Sequence, residues 1–338
     1  MQKRKGFYLE EEMLKNEIDK RNAKRVLIQL PEGLKAQGPR LATVVEKAGA
    51  LPIISADPCY GACDLAIQEA EILRADLLIH FGHSQMTTQS RVPTIYIEAK
   101  AEITIKEAVN KALPHLKDWK NLGLATTVQH VDMLSEAREL LIKAGKSVAI
   151  GDTGKLKYAG QIIGCNYSNA KAVAKDVEAF LFIGGGRFHA IGLALATAKP
   201  VIVADPYEKG AYDLDNEVRK IMKQRWATIY EAEKAEKFGV LVGLKSEQRR
   251  FDGALQIKEK LEKKEKRATL LALREITPEA LMQFPTIDAF VNTACPRVSL
   301  DDASKFLKPV LTLEETSVIL EEMSWEKLCK EGWFGSET

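Results

Sequence analysis

Ala75-Asp76-Leu77-Leu78-Ile79-His80 is a short apolar run with one acid near its start. The arrangement returns as Val177-Glu178-Ala179-Phe180-Leu181-Phe182 and again as Ile287-Asp288-Ala289-Phe290-Val291-Asn292. The acids Asp76, Glu178 and Asp288 lie 102 and 110 residues apart, so the chain repeats with a period of one α/β unit. Upstream of each acid stands a strand-like run that ends in a turn or opens a helix: Val26-Leu27-Ile28-Gln29-Leu30-Pro31-Glu32-Gly33, Leu122-Gly123-Leu124-Ala125-Thr126-Thr127-Val128-Gln129, and Gly239-Val240-Leu241-Val242-Gly243-Leu244. The helical stretch after each run has apolar residues at 3.6-residue spacing, and the first two stop at Gly49 and Gly145, where glycine supplies a left-handed C-cap. A second strand is expected at 51–55, 147–151 and 269–273, and a fourth at 92–97, 200–203 and 309–313. Short, almost wholly apolar strands alternating with helices belong to a parallel sheet covered on both faces. The sequence therefore predicts an α/β protein of three similar parallel-sheet domains produced by internal triplication. These are 1–118, 119–236 with a charged connector helix from about 210, and 237–338 with a C-terminal helix.

Composition narrows the function. The 338 residues carry 49 Lys and Arg against 47 Asp and Glu, a net charge of +2, with 46% hydrophobic residues. Proteins that bind nucleic acid as their main partner need a basic excess to release phosphate counterions, and none is present. No apolar run approaches the roughly 18 residues that cross a bilayer, and the first 25 residues are too charged for a signal peptide, so no membrane partner and a cytoplasmic location are expected. Five cysteines, an odd number in such a chain, point to thiols kept for packing, metal or reactivity rather than disulfides.

The repeat sorts those cysteines. Cys63 and Cys165 each lie 13 residues before their acid, each after a glycine-containing turn and before a helix. The equivalent point in the third unit is Glu275, and its cysteine is Cys295, seven residues after Asp288 in the loop leaving the third strand. Ligands of parallel sheets collect beyond the carboxyl ends of the strands, which is where all three loops fall. If the units pack with those edges inward about a pseudo-threefold axis, three thiolates converge, a donor set suited to an iron-sulfur cluster with one iron left open. Buried packing thiols, or a zinc site of three cysteines with His80 or His83, remain open readings. Cys59 has Gln161 as its counterpart and reads as a packing neighbour of the site, and Cys329 as a packing residue of a terminal amphipathic helix.

Other edge residues are candidates for a bound small molecule. Gly184-Gly185-Gly186-Arg187-Phe188-His189 leaves a strand and opens a helix, offering backbone N–H groups and a guanidinium to an anion. Arg297, like Arg187, lies nine residues past its acid. His83 reads as a satisfied loop histidine or a proton carrier, and Gln129-His130 as a substrate contact or a helix cap. Asp205 ends a strand.

Four separated motifs carry a resemblance: Tyr60-Gly61-Ala62-Cys63-Asp64, Gly160-Gln161-Ile162-Ile163-Gly164-Cys165-Asn166-Tyr167-Ser168, the stretch from Gly184 to His189, and Ala294-Cys295-Pro296-Arg297. With Gln29-Leu30-Pro31-Glu32-Gly33-Leu34 and Lys308-Pro309-Val310-Leu311-Thr312, they resemble the archaeal 2-(3-amino-3-carboxypropyl)histidine synthases, enzymes of the first step of diphthamide biosynthesis. The resemblance implies three α/β domains, a homodimer, and a 4Fe-4S cluster held by Cys63, Cys165 and Cys295. It also implies an electron donor and S-adenosylmethionine as co-substrate, cleaved between sulfur and Cγ. The 3-amino-3-carboxypropyl fragment would then join C2 of a histidine imidazole on elongation factor 2. Gly184, Gly185, Gly186, Arg187, His189, Arg297 and Gln129 are the expected cofactor-binding residues. A quinolinate-synthase-like Lewis-acid enzyme and a non-catalytic metal- or small-molecule-binding protein are the alternative classes, and neither would consume an electron with S-adenosylmethionine.

Overall fold

A computed structural model describes residues 6–86 and 90–334. The described chain forms two compact units, the first running to Thr104 with Val128–Val131 added, the second comprising Ile105–Thr127 and the rest. In the first, a four-stranded parallel sheet has the order Leu51–Ile54, Arg25–Gln29, Leu77–Phe81, Thr94–Ile97. The second unit holds two sheets. One runs Ser147–Ile150, Asn121–Thr126, Ala179–Ile183, Val201–Asp205, all parallel, and adds an antiparallel edge strand, Gly210–Asp213. The other runs Arg267–Leu273, Lys237–Gly243, Ala289–Asn292, Val310–Leu311. Numbered by appearance within each sheet, the parallel strands stand in one order, 2-1-3-4, in all three. Every residue of Leu77–Phe81, Ala179–Ile183 and Ala289–Asn292 is buried, which is why these strands read as continuous apolar runs without alternation.

The repeating acid has a structural reason. One carboxylate oxygen of Asp76 accepts from the backbone N–H groups of Lys24 and Arg25, both at 2.8 Å. Glu178 does the same for Lys120 and Asn121, and Asp288 for Glu236 and Lys237. Each acid thus closes the start of the first strand of its sheet, satisfying amides that precede the ladder. Proline repeats too: the carbonyls of Pro93, Pro200 and Pro309 accept from the third strands at Leu78, Phe180 and Phe290. Gly49 and Gly145, read as helix stops, both adopt φ +79°, the left-handed geometry of a C-cap.

Three departures from the sequence reading matter. Residues 105–118, assigned by sequence to the first domain, pack against the second sheet. Ile105, Ala108, Val109, Ala112 and Leu116 share one apolar cluster with Leu122, Leu181 and Ile202, so the compact unit ends at Thr104. Part of the expected connector is the edge strand Gly210–Asp213, and Gly6–Tyr8 pairs with Lys100–Glu102 in a small antiparallel sheet. The connector helix, Asp215–Ala232, is not uniformly solvated. Its Arg225 is buried with Glu315, donating Nε at 2.7 Å to that carboxylate and Nη groups at 2.8 Å to the carbonyls of Ser299 and Val310, which locks the helix to the third sheet. Among the described residues, no helix is long and apolar enough to cross a membrane.

Candidate metal centre

Cys63 and Cys165 occupy the same place in the same kind of turn. The carbonyl of Gly61 accepts from Asp64 N at 3.0 Å, and that of Ile163 from Asn166 N at 3.2 Å, so each cysteine is third of four residues. A short polar residue follows each, and Asn166 Oδ1 accepts from Ser168 N at 2.9 Å to start the next helix. Cys295 is presented differently. It stands in extended conformation immediately before the helix Pro296–Asp301, where proline suits the first helical position, and its carbonyl accepts from Asn292 Nδ2 at 2.7 Å. All three thiols are half-buried, in loops at the carboxyl ends of their sheets, and all five cysteines are reduced.

Behind Cys63 lies a buried polar group. Gln29 donates Nε2 to the carbonyl of Asp64 at 2.7 Å and accepts Ala66 N–H on Oε1, fixing its amide orientation. The same Oε1 lies 2.9 Å from His80 Nδ1, which must therefore carry the proton, and His80 Nε2 faces His83 Nδ1 at 3.0 Å. Burial holds both imidazoles below their usual range, His80 far below and His83 at about 4, so both are neutral at pH 7.

The Cys165 and Cys295 loops meet around Arg297. This side chain is 5% exposed; its guanidinium lies 3.9 Å above the Phe188 ring and donates Nη2 to the Phe188 carbonyl at 2.8 Å. Nε stands 2.7 Å from the Asp301 carboxylate, and Nη1 is buried with no hydrogen-bond partner among the described residues. Tyr167, fully buried, lies beside it. Burial raises its phenol, the Arg297 guanidinium opposes that, and the Cys165 thiol, the Asp301 carboxylate and the Cys295 thiol add to it. The helix Phe188–Thr197 makes room: a Cβ at Gly192 would fall on the Tyr167 hydroxyl and 2.7 Å from Arg297 Nη1. Burial pushes the Cys295 thiol up, while the backbone N–H groups of Arg297 and Val298 pull it back toward thiolate.

The other expected contacts are placed otherwise. Arg187, at the register of Arg297, is 57% exposed; it pairs with Glu217 and lies over the Tyr212 ring. In the glycine loop, Gly186 N–H is already directed at the buried Asp205 carboxylate, 3.3 Å away, while the other Asp205 oxygen takes Tyr207 N–H at 2.8 Å. His189 stacks on Phe182 and meets Phe188 edge to face. Gln129 donates Nε2 to the Gly82 carbonyl at 2.7 Å, tethering the loop that carries His83. Tyr167, Phe188 and Gly192 were not singled out as site residues by sequence. Tyr167 and Phe188 lie inside the quoted motifs Gly160 to Ser168 and Gly184 to His189, Gly192 falls among the small residues of the helix that follows, and Asp205, a strand end by sequence, also holds the glycine loop.

Reduced thiols at the carboxyl ends of three identically ordered parallel sheets define an α/β protein of the thiolate-site class. The family model described as putative diphthamide synthesis protein matches residues 30–329, and the chain belongs to that family. It is 40% identical over 311 residues to the 2-(3-amino-3-carboxypropyl)histidine synthase of Pyrococcus horikoshii, covering 91% of this chain and 89% of the other. It is 31% identical to subunit 1 of the human synthase, covering 92% and 71%. The crystal structure of Dph2 from Pyrococcus horikoshii with a 4Fe-4S cluster superposes with a TM-score of 0.86 at 38% identity, over 94% of this chain and 92% of that one. The family and the α/β fold are those the four motifs implied.

Proposed function

We propose that this chain transfers the 3-amino-3-carboxypropyl group of S-adenosylmethionine to C2 of a histidine imidazole on elongation factor 2, the first step of diphthamide formation. Cys63, Cys165 and Cys295, one from each of three repeats, hold a 4Fe-4S cluster. The observation that carries this reading is the placement of one half-buried, reduced thiol in an edge loop of each of three sheets of like strand order. The donor set fits the group, since soft thiolates select iron-sulfur clusters, and the relative whose structure contains the cluster shares this fold. A 4Fe-4S cluster bound there and reduced by an external donor would supply the electron for breaking the bond between sulfur and Cγ.

The chain's own part is to bind and orient. Arg297 is the group we assign to the methionine carboxylate. A buried guanidinium nitrogen without a partner is costly, and a carboxylate beside the Cys165 and Cys295 thiols satisfies it. Tyr167 and Phe188 hold that guanidinium in place, so the scissile bond is oriented by a side chain that has little freedom to lose. Arg187, His189 and the Gly184, Gly185, Gly186 loop support the bound co-substrate through the Glu217 and Asp205 contacts described above, and Gln129 does so by holding the Gly82 loop. A homodimer working in the cytoplasm completes the proposal.

Anaerobic purification, reduction with dithionite and addition of S-adenosylmethionine test it by product identification. Methylthioadenosine is the expected product. 5′-Deoxyadenosine would mean cleavage of the other bond, and a colourless, iron-free protein would end the cluster assignment.

A further inference from the structure

The first sheet contains a second constellation that the cluster does not use. Cys59 Sγ and one nitrogen each of His80 and His83 all lie within 4.8 Å of one another, in the buried edge of that sheet. We propose that Cys59, His80 and His83 form a second metal site, separate from the three cluster cysteines, that takes a divalent transition ion of the zinc class.

The supporting groups are arranged as such a site requires. Gln29 Oε1 accepts a hydrogen bond from His80 Nδ1–H, leaving Nε2 with its lone pair directed toward His83. That is the outer contact usual for a metal-bound histidine, a ring N–H held by a fixed acceptor. The Gln29 amide cannot turn over without breaking its bonds to Asp64 and Ala66. The two ring nitrogens stand 3.0 Å apart, and tetrahedral zinc needs about 3.3 Å between nitrogens and about 3.6 Å from nitrogen to sulfur, so the pair opens by only a few tenths of an ångström. Two imidazoles and one thiolate leave a fourth position for solvent.

The balance is simple. On uptake of M²⁺ the Cys59 thiol loses its proton to solvent, and the His83 proton passes from Nδ1 to Nε2. His80 keeps its proton on Nδ1, and no oxidant or reductant is needed. Burial pushes the free Cys59 thiol up to about 12, so it stays a thiol until a metal displaces the proton.

No counterpart exists in the other sheets. At the register of Cys59 the second sheet has Gln161; at those of His80 and His83 it has Phe182 and Gly185, and the third sheet has Asn292 and Cys295. The ion would tie the segment that leads into the Cys63 turn to the end of strand Leu77–Phe81, a clip on the loop that presents a cluster ligand.

The test uses the full chain with Cys63, Cys165 and Cys295 all changed to alanine, titrated anaerobically with Co²⁺ and then Zn²⁺. One Co²⁺ per chain is expected, with visible bands of tetrahedral intensity and a near-ultraviolet thiolate-to-cobalt band, all abolished by one equivalent of Zn²⁺. Adding Cys59→Ser should remove the thiolate band, and Gln29→Leu should weaken binding about 10- to 100-fold. If the triple variant does not fold, metal analysis of cluster-loaded protein replaces it: one zinc per chain beyond the iron, lost in Cys59→Ser while the iron stays. Absence of Co²⁺ binding in the folded triple variant, a thiolate band that persists in Cys59→Ser, or no zinc in the loaded protein would overturn the proposal.

Discussion

Beneath the Cys63 turn lie side chains, and beneath the Cys165 turn lies mostly backbone. The first is propped by Gln29, which bonds the carbonyl of Asp64 and the N–H of Ala66, and by the imidazoles of His80 and His83. In the second, Thr126 N–H is bonded to the Gly160 carbonyl at 2.9 Å and Ile162 N–H to the Thr126 carbonyl at 2.8 Å. The Asn169 amide takes the Gln161 carbonyl. Both supports end in a four-residue turn with cysteine third. The turn is therefore dictated locally, by glycine before and Asp or Asn after the cysteine, while what stands behind it is free to vary. In the first sheet that freedom has been filled with titratable nitrogen and a second sulfur.

Removing either thiol should have the largest effect and should treat the two turns alike. On the proposed cluster assignment, Cys63→Ala and Cys165→Ala are each expected to cut methylthioadenosine formation on the order of 100-fold or more, since losing a ligand would misplace the reacting centre. A large loss in one and none in the other would break the equivalence. Acidification should separate the turns. His80 and His83 have folded-state pKa values below the usual 6.5, so the unfolded chain binds more protons there and stability falls as pH drops. For His83 the window runs from about 6.5 down to about 4, costing up to about 1.4 kcal/mol per pH unit. Hydrogen-exchange protection factors, corrected for the intrinsic rate at each pH, should fall at residues 55–66 and 80–83 of metal-free protein across that range and stay constant at 160–169.

A smaller change confined to the second turn is expected from Gly192→Ala, whose methyl group meets Tyr167 and Arg297. Overpacking there should cost about 1–3 kcal/mol in denaturant unfolding and raise the KM for S-adenosylmethionine, leaving the Cys63 turn untouched. The smallest effect belongs to Arg187→Ala. Its exposed pair with Glu217 should contribute no more than about 0.5 kcal/mol, read by the same denaturation.

Much of the fold was legible because central strands of a parallel sheet are buried on both faces and leave uninterrupted apolar runs, as at Ala179–Ile183. The period was legible because Asp76, Glu178 and Asp288 each do one backbone job. Edge strands such as Gly210–Asp213, half-exposed and of mixed polarity, leave no such trace, and the amphipathic helix Lys106–Ala112 does not say which sheet it covers. Register placed the turns of Cys63 and Cys165 together, yet it paired Arg187 with Arg297, whose burial is opposite. It also compared Cys59 only with Gln161, so the histidines that fold against it from the next strand were not weighed with it.

Which sulfurs bind iron is decided by metal analysis of single variants. Iron and sulfide should be measured anaerobically in the unaltered chain and in Cys63→Ala, Cys165→Ala, Cys295→Ala and Cys59→Ser. One 4Fe-4S cluster per chain is expected in the unaltered protein and in Cys59→Ser, with loss in each of the other three. Full iron in any of those three, or its loss in Cys59→Ser, would contradict the assignment of one cluster ligand to each sheet.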